Sequence, residues 1–167
     1  SDISSVVVGT LSNTSDCFAA APGVGSVLGR YGNYTGAIAA PDFAQNSVIN
    51  FDLTMTSCGG SYSNFFQIYI DWNRDGDFLD PNEQVYSQPS SVVGSQNISG
   101  SFTVPCDVLP GITRMRVINV EATASTTNYA HTPYTYGETE DYCINVVQGS
   151  SVPVVTCPSD IIEYANG

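Results

Sequence analysis

Thirteen residues from Asp71 to Glu83, DWNRDGDFLDPNE, hold five carboxylates and two asparagines. Oxygen-bearing side chains stand at Asp71, Asn73 and Asp75, the first, third and fifth positions of D-x-N-x-D-G-D. Gly76 permits a sharp turn, and the seventh position, Asp77, can turn a carbonyl inward. This is the first half of an EF-hand-type calcium loop. Calcium is a hard cation that takes six to eight oxygens at about 2.3–2.6 Å, and alternate residues of a curling backbone can converge on one. The second half departs from that pattern, with Leu79 at position nine, Asn82 at twelve and Glu83 one place late. Glu83, Asp80 or an acid from elsewhere must therefore close the site. A plain hairpin turn would need only Asp-Gly. Crowded carboxylates with Arg74 alone to offset them cost ~1 kcal/mol per close pair in water. Magnesium tolerates such flexible carboxylates less well and keeps its waters.

A second acidic stretch, YGETEDY (Tyr136 to Tyr142), precedes the last expected strand. Glu138, Glu140 and Asp141 can complete the first site, hold a second ion, or pair with Arg114 and Arg116. Those arginines share one face of a strand while Met115 and Val117 take the other. Between the strands lies a long polar loop, ATASTTNYAHTPYTYG, whose Tyr129, His131, Tyr134 and Tyr136 are candidate ligand-binding residues. Equally, the tyrosines can pack that loop onto the body of the protein.

The elements that must position these residues read as short strands. Helical periodicity is nearly absent. Runs fit strands at Ile3–Leu11, Ser47–Met55, Phe65–Trp72, Asn97–Val104, Thr113–Val120 and Asp141–Gln148, with weaker ones at 27–38 and 84–87. In Ser47–Met55, strict alternation reserves Ile49, Phe51, Leu53 and Met55 for a core. The expectation is an all-β fold, an antiparallel, jelly-roll-like β-sandwich of seven to eight strands. It occupies residues 1–148, followed by a linker at 149–153 and, at 154–167, the start of another module.

Composition narrows the function classes. Sixteen acids face four arginines and no lysine, a net charge of −12. That excludes nucleic acid and anionic membrane surfaces as partners, which need basic patches. No apolar run approaches the ~20 residues of a membrane-spanning helix, so no membrane insertion is expected. Five cysteines and few charges suggest an exported chain with disulfides. Asn13, Asn33 and Asn97 begin N-x-[ST] triplets, a short motif of little weight.

Taken in order, IDWNRDGDF, NEQVY, FTVPCDVLPGITRMRV and GETEDYCINV resemble the GEVED domain, over about residues 3–148. Its G-E-x-E-D signature corresponds to Gly137, Glu138, Glu140 and Asp141, with Thr139 in place of the usual valine. The resemblance implies a β-sandwich module of large secreted or surface-anchored bacterial proteins, many exported by the type IX route. The tail from Val152 to Gly167 resembles the opening of a hyalin-repeat module, an immunoglobulin-like extracellular unit. That resemblance implies that Cys157 pairs beyond Gly167. Cys17, Cys58, Cys106 and Cys143 remain for two disulfides, in any of three connectivities.

No catalytic constellation assembles, since His131 is the only histidine and no G-x-S-x-G elbow is present. The expected function is non-catalytic: a calcium-stabilised structural or interaction module of a secreted or cell-surface protein, an adhesin or extracellular filament. Its partners would be calcium, with glycans, surface proteins or further copies of itself. The alternative is a carbohydrate-binding accessory module of a secreted hydrolase or protease.

Overall fold

Period-two alternation does sort this chain into layers. Residues 1–149 are described by a computed structural model, so the linker after Gly149, the 154–167 segment and Cys157 lie outside the described residues. Eleven strands follow one another: β1 (Asp2–Val8), β2 (Leu11–Thr14), β3 (Tyr31–Asn33), β4 (Asp42–Ala44), β5 (Val48–Thr56), β6 (Ser63–Ile70), β7 (Gln84–Ser87), β8 (Val92–Val93), β9 (Gln96–Thr103), β10 (Gly111–Val120) and β11 (Gly137–Val147). No helix is present among them.

The strands form two facing sheets. One has the order β2-β1-β5-β9; the other runs β3-β11-β10-β6-β7, with β4 beside β11 and β8 beside β6. Most pairings are antiparallel, while β3 and β4 lie parallel to β11. The all-β sandwich is as expected, with more strands than the seven or eight anticipated. The extra ones are short: Gly9, at a φ of +58°, turns the expected first strand into the β1–β2 hairpin.

The main core fills the space between the sheets. Ile49, Phe51, Leu53 and Met55 enter it from β5 and meet Phe66, Ile68, Ile70, Met115, Val117 and Ile144. A second, smaller core lies on the outer face of the larger sheet. There Phe65, Tyr69, Ile118 and Val120 are covered by Phe78 and by Tyr129, Ala130 and Tyr134 of the 121–136 loop. This explains why β6 is apolar on both faces. Two of the loop's tyrosines, Tyr129 and Tyr134, pack the loop down, with Tyr129 edge-on to both Phe65 and Tyr134.

Candidate functional site

The acidic loop joins β6 to β7, and its local conformation follows from its own side chains. Asn73 Oδ1 accepts from the Asp75 amide at 2.9 Å, Asp75 Oδ1 from Asp77 at 3.1 Å, and Asp77 Oδ1 from Leu79 at 2.8 Å. Each is an Asx turn, in which a short side chain stands in for a backbone acceptor. Arg74 and Asn82 adopt positive φ with Gly76, completing the curl.

Asp71 and Glu83 frame the loop from beneath. Asp71 accepts from the amides of Arg74 (2.6 Å) and Gly76 (3.1 Å). Glu83 accepts from those of Trp72 (2.9 Å) and Asp80 (3.3 Å). Both are buried, and burial pushes the Glu83 carboxyl above its usual range. The carboxylates that converge are Asp75, Asp77 and Asp80, whose ligand oxygens lie within 4.8 Å of one another at the surface. The amide of Asp77 and the Asn73 side chain hold the Asp75 carboxyl below the usual range, so it stays ionised. Asn73 Nδ2 donates to Asp75 at 3.0 Å and to Asp80 at 2.7 Å, presenting the positive end of a dipole where two carboxylates meet. Of the residues expected as ligands, the loop therefore brings three carboxylates together and uses Asp71 and Glu83 as framing acceptors.

The GETED acids do not reach this loop. Asp141 opens the expected last strand, but Glu138 and Glu140, expected before it, also belong to β11, which begins at Gly137. Acids at inward positions break the apolar alternation by which a strand is recognised, and so hid the strand's beginning. Gly137 sits at a φ of +123°, where a Cβ would lie 2.1 Å from the Asn119 carbonyl oxygen; only glycine fits. From there the side chains alternate. Thr139, Asp141 and Cys143 face outward; Glu138, Glu140, Tyr142 and Ile144 face the other sheet.

Outward, Asp141 lies opposite Arg116 and accepts from its Nε at 2.7 Å and its Nη2 at 2.8 Å. Tyr31 also donates to Asp141, at 2.9 Å. The guanidinium lies 4.9 Å from the Phe78 ring centroid and donates to the Ala130 carbonyl at 3.2 Å. One fork thus links β10, β11, the acidic loop and the 121–136 loop.

Inward, Glu138 takes the Ile3 amide at 2.7 Å, at the register shift in β1. Glu140 accepts from Ser15 at 3.1 Å and from Tyr142 at 2.7 Å. Asp2, only 2% exposed, lies beside Glu138 and acts on it electrostatically. Three carboxyls thus meet between the sheets, tying one layer to the other. Burial, then Glu140 and Asp2, push Glu138 up to about 9. Burial raises Glu140 to about 7 and lifts Asp2 as well. Among the described residues, Asp2 Oδ2 and Asn119 Oδ1 find no hydrogen-bond partner. No sequence signal marked Asp2, which sits in an ordinary strand beginning.

The disulfide expectation is corrected in part. Cys17 pairs with Cys58, and the Asp2 carboxylate lies within 4.8 Å of both sulfurs. Cys106 and Cys143 form no disulfide among the described residues. Cys106 is exposed in the β9–β10 loop, while Cys143 stands on the outer face of β11 opposite Arg114. Of the candidate ligand-binding residues, His131 and Tyr136 are exposed.

The family model of the GEVED domain matches residues 65–145, from β6 through most of β11. No curated protein matches this chain. A solved family 123 glycoside hydrolase from Clostridium perfringens, studied for glycolipid glycan hydrolysis, is similar over 71% of this chain at 14% identity and a TM-score of 0.38. This chain spans 23% of that protein.

Proposed function

We propose that the chain is a non-catalytic structural and interaction module, held together by calcium, of a large secreted or cell-surface bacterial protein such as an adhesin or extracellular filament. The observation that carries this reading is the convergence of Asp75, Asp77 and Asp80 within 4.8 Å. Oxygens at about 2.3–2.6 Å from one shared calcium ion stand at most about 5 Å apart, so the donor set fits. All three donors are hard carboxylate oxygens, with Asx turns fixing their backbone. Calcium there would neutralise the surface's most crowded charge and brace the β6–β7 connection, to which Phe78 ties the outer core. The Cys17–Cys58 bridge and the acidic balance support a place outside the cell.

Calcium in excess is expected to raise the melting temperature, and chelation to reverse the shift. At a hundredfold excess over the dissociation constant the gain is about 2.7 kcal/mol, or roughly 5–10 °C for a domain of this size. Two substitutions separate ligand from frame. Asp80→Ala should abolish the calcium increment while changing the chelated protein little. Asp71→Ala should lower the melting temperature with or without calcium, because it strands the amides of Arg74 and Gly76. Calorimetry showing no calcium binding at millimolar concentration would sink the reading.

A further inference from the structure

A separate feature lies at the end of the sandwich where the β5–β6 connection meets both ends of the 121–136 loop. A cleft of about 710 Å³ opens there, within the size range of small-ligand sites. Tyr62 and Tyr136 stand on its rim, 58% and 60% exposed. Ser63 and Thr123 offer hydroxyls along its wall, while Glu121 there accepts from the Ser1 ammonium at 2.5 Å and the Ser1 hydroxyl at 2.6 Å.

Large side chains left this exposed ordinarily sit on loose loops, but these two ride on fixed backbone. The Tyr62 carbonyl accepts from the Gly94 amide at 3.1 Å and from Asn64 Nδ2 at 3.1 Å. Gly60 lies so close to the Tyr62 ring that a Cβ on it would fall 2.6 Å from the ring edge. Nearby, Cys58 is bonded to Cys17, and the Ser57 amide donates to Ser95 at 3.1 Å. On the other wall the Tyr136 carbonyl accepts from the Glu121 amide at 3.0 Å, closing the neck of the long loop. The backbone that carries both rings is therefore fixed, which lowers the ordering cost of binding.

We propose that this cleft binds a neutral oligosaccharide, with sugar faces against Tyr62 and Tyr136 and sugar hydroxyls meeting the Ser63 and Thr123 hydroxyls beside them. Tyrosine suits this because it offers a flat apolar face with a polar edge. Charge selects among ligands. Among the described residues the cation on the wall, the Ser1 ammonium, is already paired with Glu121, and no arginine or lysine lines the cleft, so phosphates, nucleotides and acidic glycans find no free counter-charge. This inference goes beyond the calcium reading and does not depend on it.

The test titrates the full chain with hexasaccharides of cellulose, xylan, laminarin, mannan and chitin, and with acidic oligogalacturonate, followed by calorimetry and by amide shifts in NMR spectra. At least one should bind. Tyr62→Ala and Tyr136→Ala should each weaken it about tenfold without moving the melting temperature, while His131→Ala leaves it unchanged. Binding should persist in chelator, so that its failure and a failure of the calcium reading are told apart. No binding at about 10 mM sugar, binding that survives both tyrosine substitutions, or binding confined to acidic oligosaccharides would overturn the proposal.

Discussion

Arg116→Ala is expected to cost about 3–5 kcal/mol of folding stability, roughly 10–20 °C in melting temperature for a domain of this size. The reason is the partner left behind. Asp141 is 1% exposed and receives two hydrogen bonds from the guanidinium. Without Arg116 the Tyr31 hydroxyl is the one hydrogen-bond donor left to its side chain among the described residues, and a buried charge without a paired counter-charge is far more costly than an absent pair. Arg116→Lys should recover only part of the loss, because an ammonium cannot fill both arms of the fork. Asp141→Asn added to Arg116→Ala should recover stability by removing the stranded charge. Since the same guanidinium lies over Phe78 and binds the Ala130 carbonyl, amide exchange should quicken in the 121–136 loop before the sheets open. Chemical denaturation of these variants measures the terms. A loss below 1 kcal/mol for Arg116→Ala would mean the fork is ornamental.

That pairing was half legible beforehand. The two-residue spacing of Arg114 and Arg116 placed both on one face, and the outward face of β10 carries them. What spacing could not supply was the register of β10 against β11, which sets Arg116 opposite Asp141 and Arg114 opposite Cys143. Core positions were legible wherever one face met water, as in β5. They were blurred in β6, where Phe65 and Tyr69 are apolar on the outer side because a loop fifty residues later covers them. In the acidic loop, the D-x-N-x-D-G-D spacing located the cluster. It could not reveal that Asp71 and Glu83 turn to backbone amides, because burial of a carboxylate depends on what packs beneath it. The GETED acids were misplaced for a related reason. Glu138 and Glu140 look like surface residues by type, yet they occupy inward positions of a strand.

That inward placement has a consequence for pH. Glu138, Glu140 and Asp2 face one another between β11 and β1, with Asp16, the Tyr34 and Tyr142 hydroxyls and Ser15 around them. No arginine is among the groups that set their titration, and the Ser1 ammonium, which acts on Asp2, is itself paired with Glu121, so protons take the place of a counter-ion at Glu138 and Glu140. Glu138, at about 9, and Glu140, at about 7, both lie above the ordinary 4.5. The folded state therefore holds protons that the unfolded chain has released. Stability from such groups is fully present below about pH 4.5 and is lost as pH rises, through about 7 for Glu140 and about 9 for Glu138. Each retained proton contributes up to about 1.4 kcal/mol per pH unit across its window. The melting temperature should thus fall by at least about 5 °C between pH 5 and pH 9. The opposing shifts at Asp75 and Glu121, both lowered, act only below this range. Glu138→Gln keeps the shape and a hydrogen to donate toward Asp2 without the titration. It should be tolerated at pH 5, flatten the decline above pH 7, and melt above the parent at pH 9. A melting temperature that is level or rises from pH 5 to pH 9 in the parent would show that these carboxyls are ionised inside the fold, and that something other than protons neutralises them.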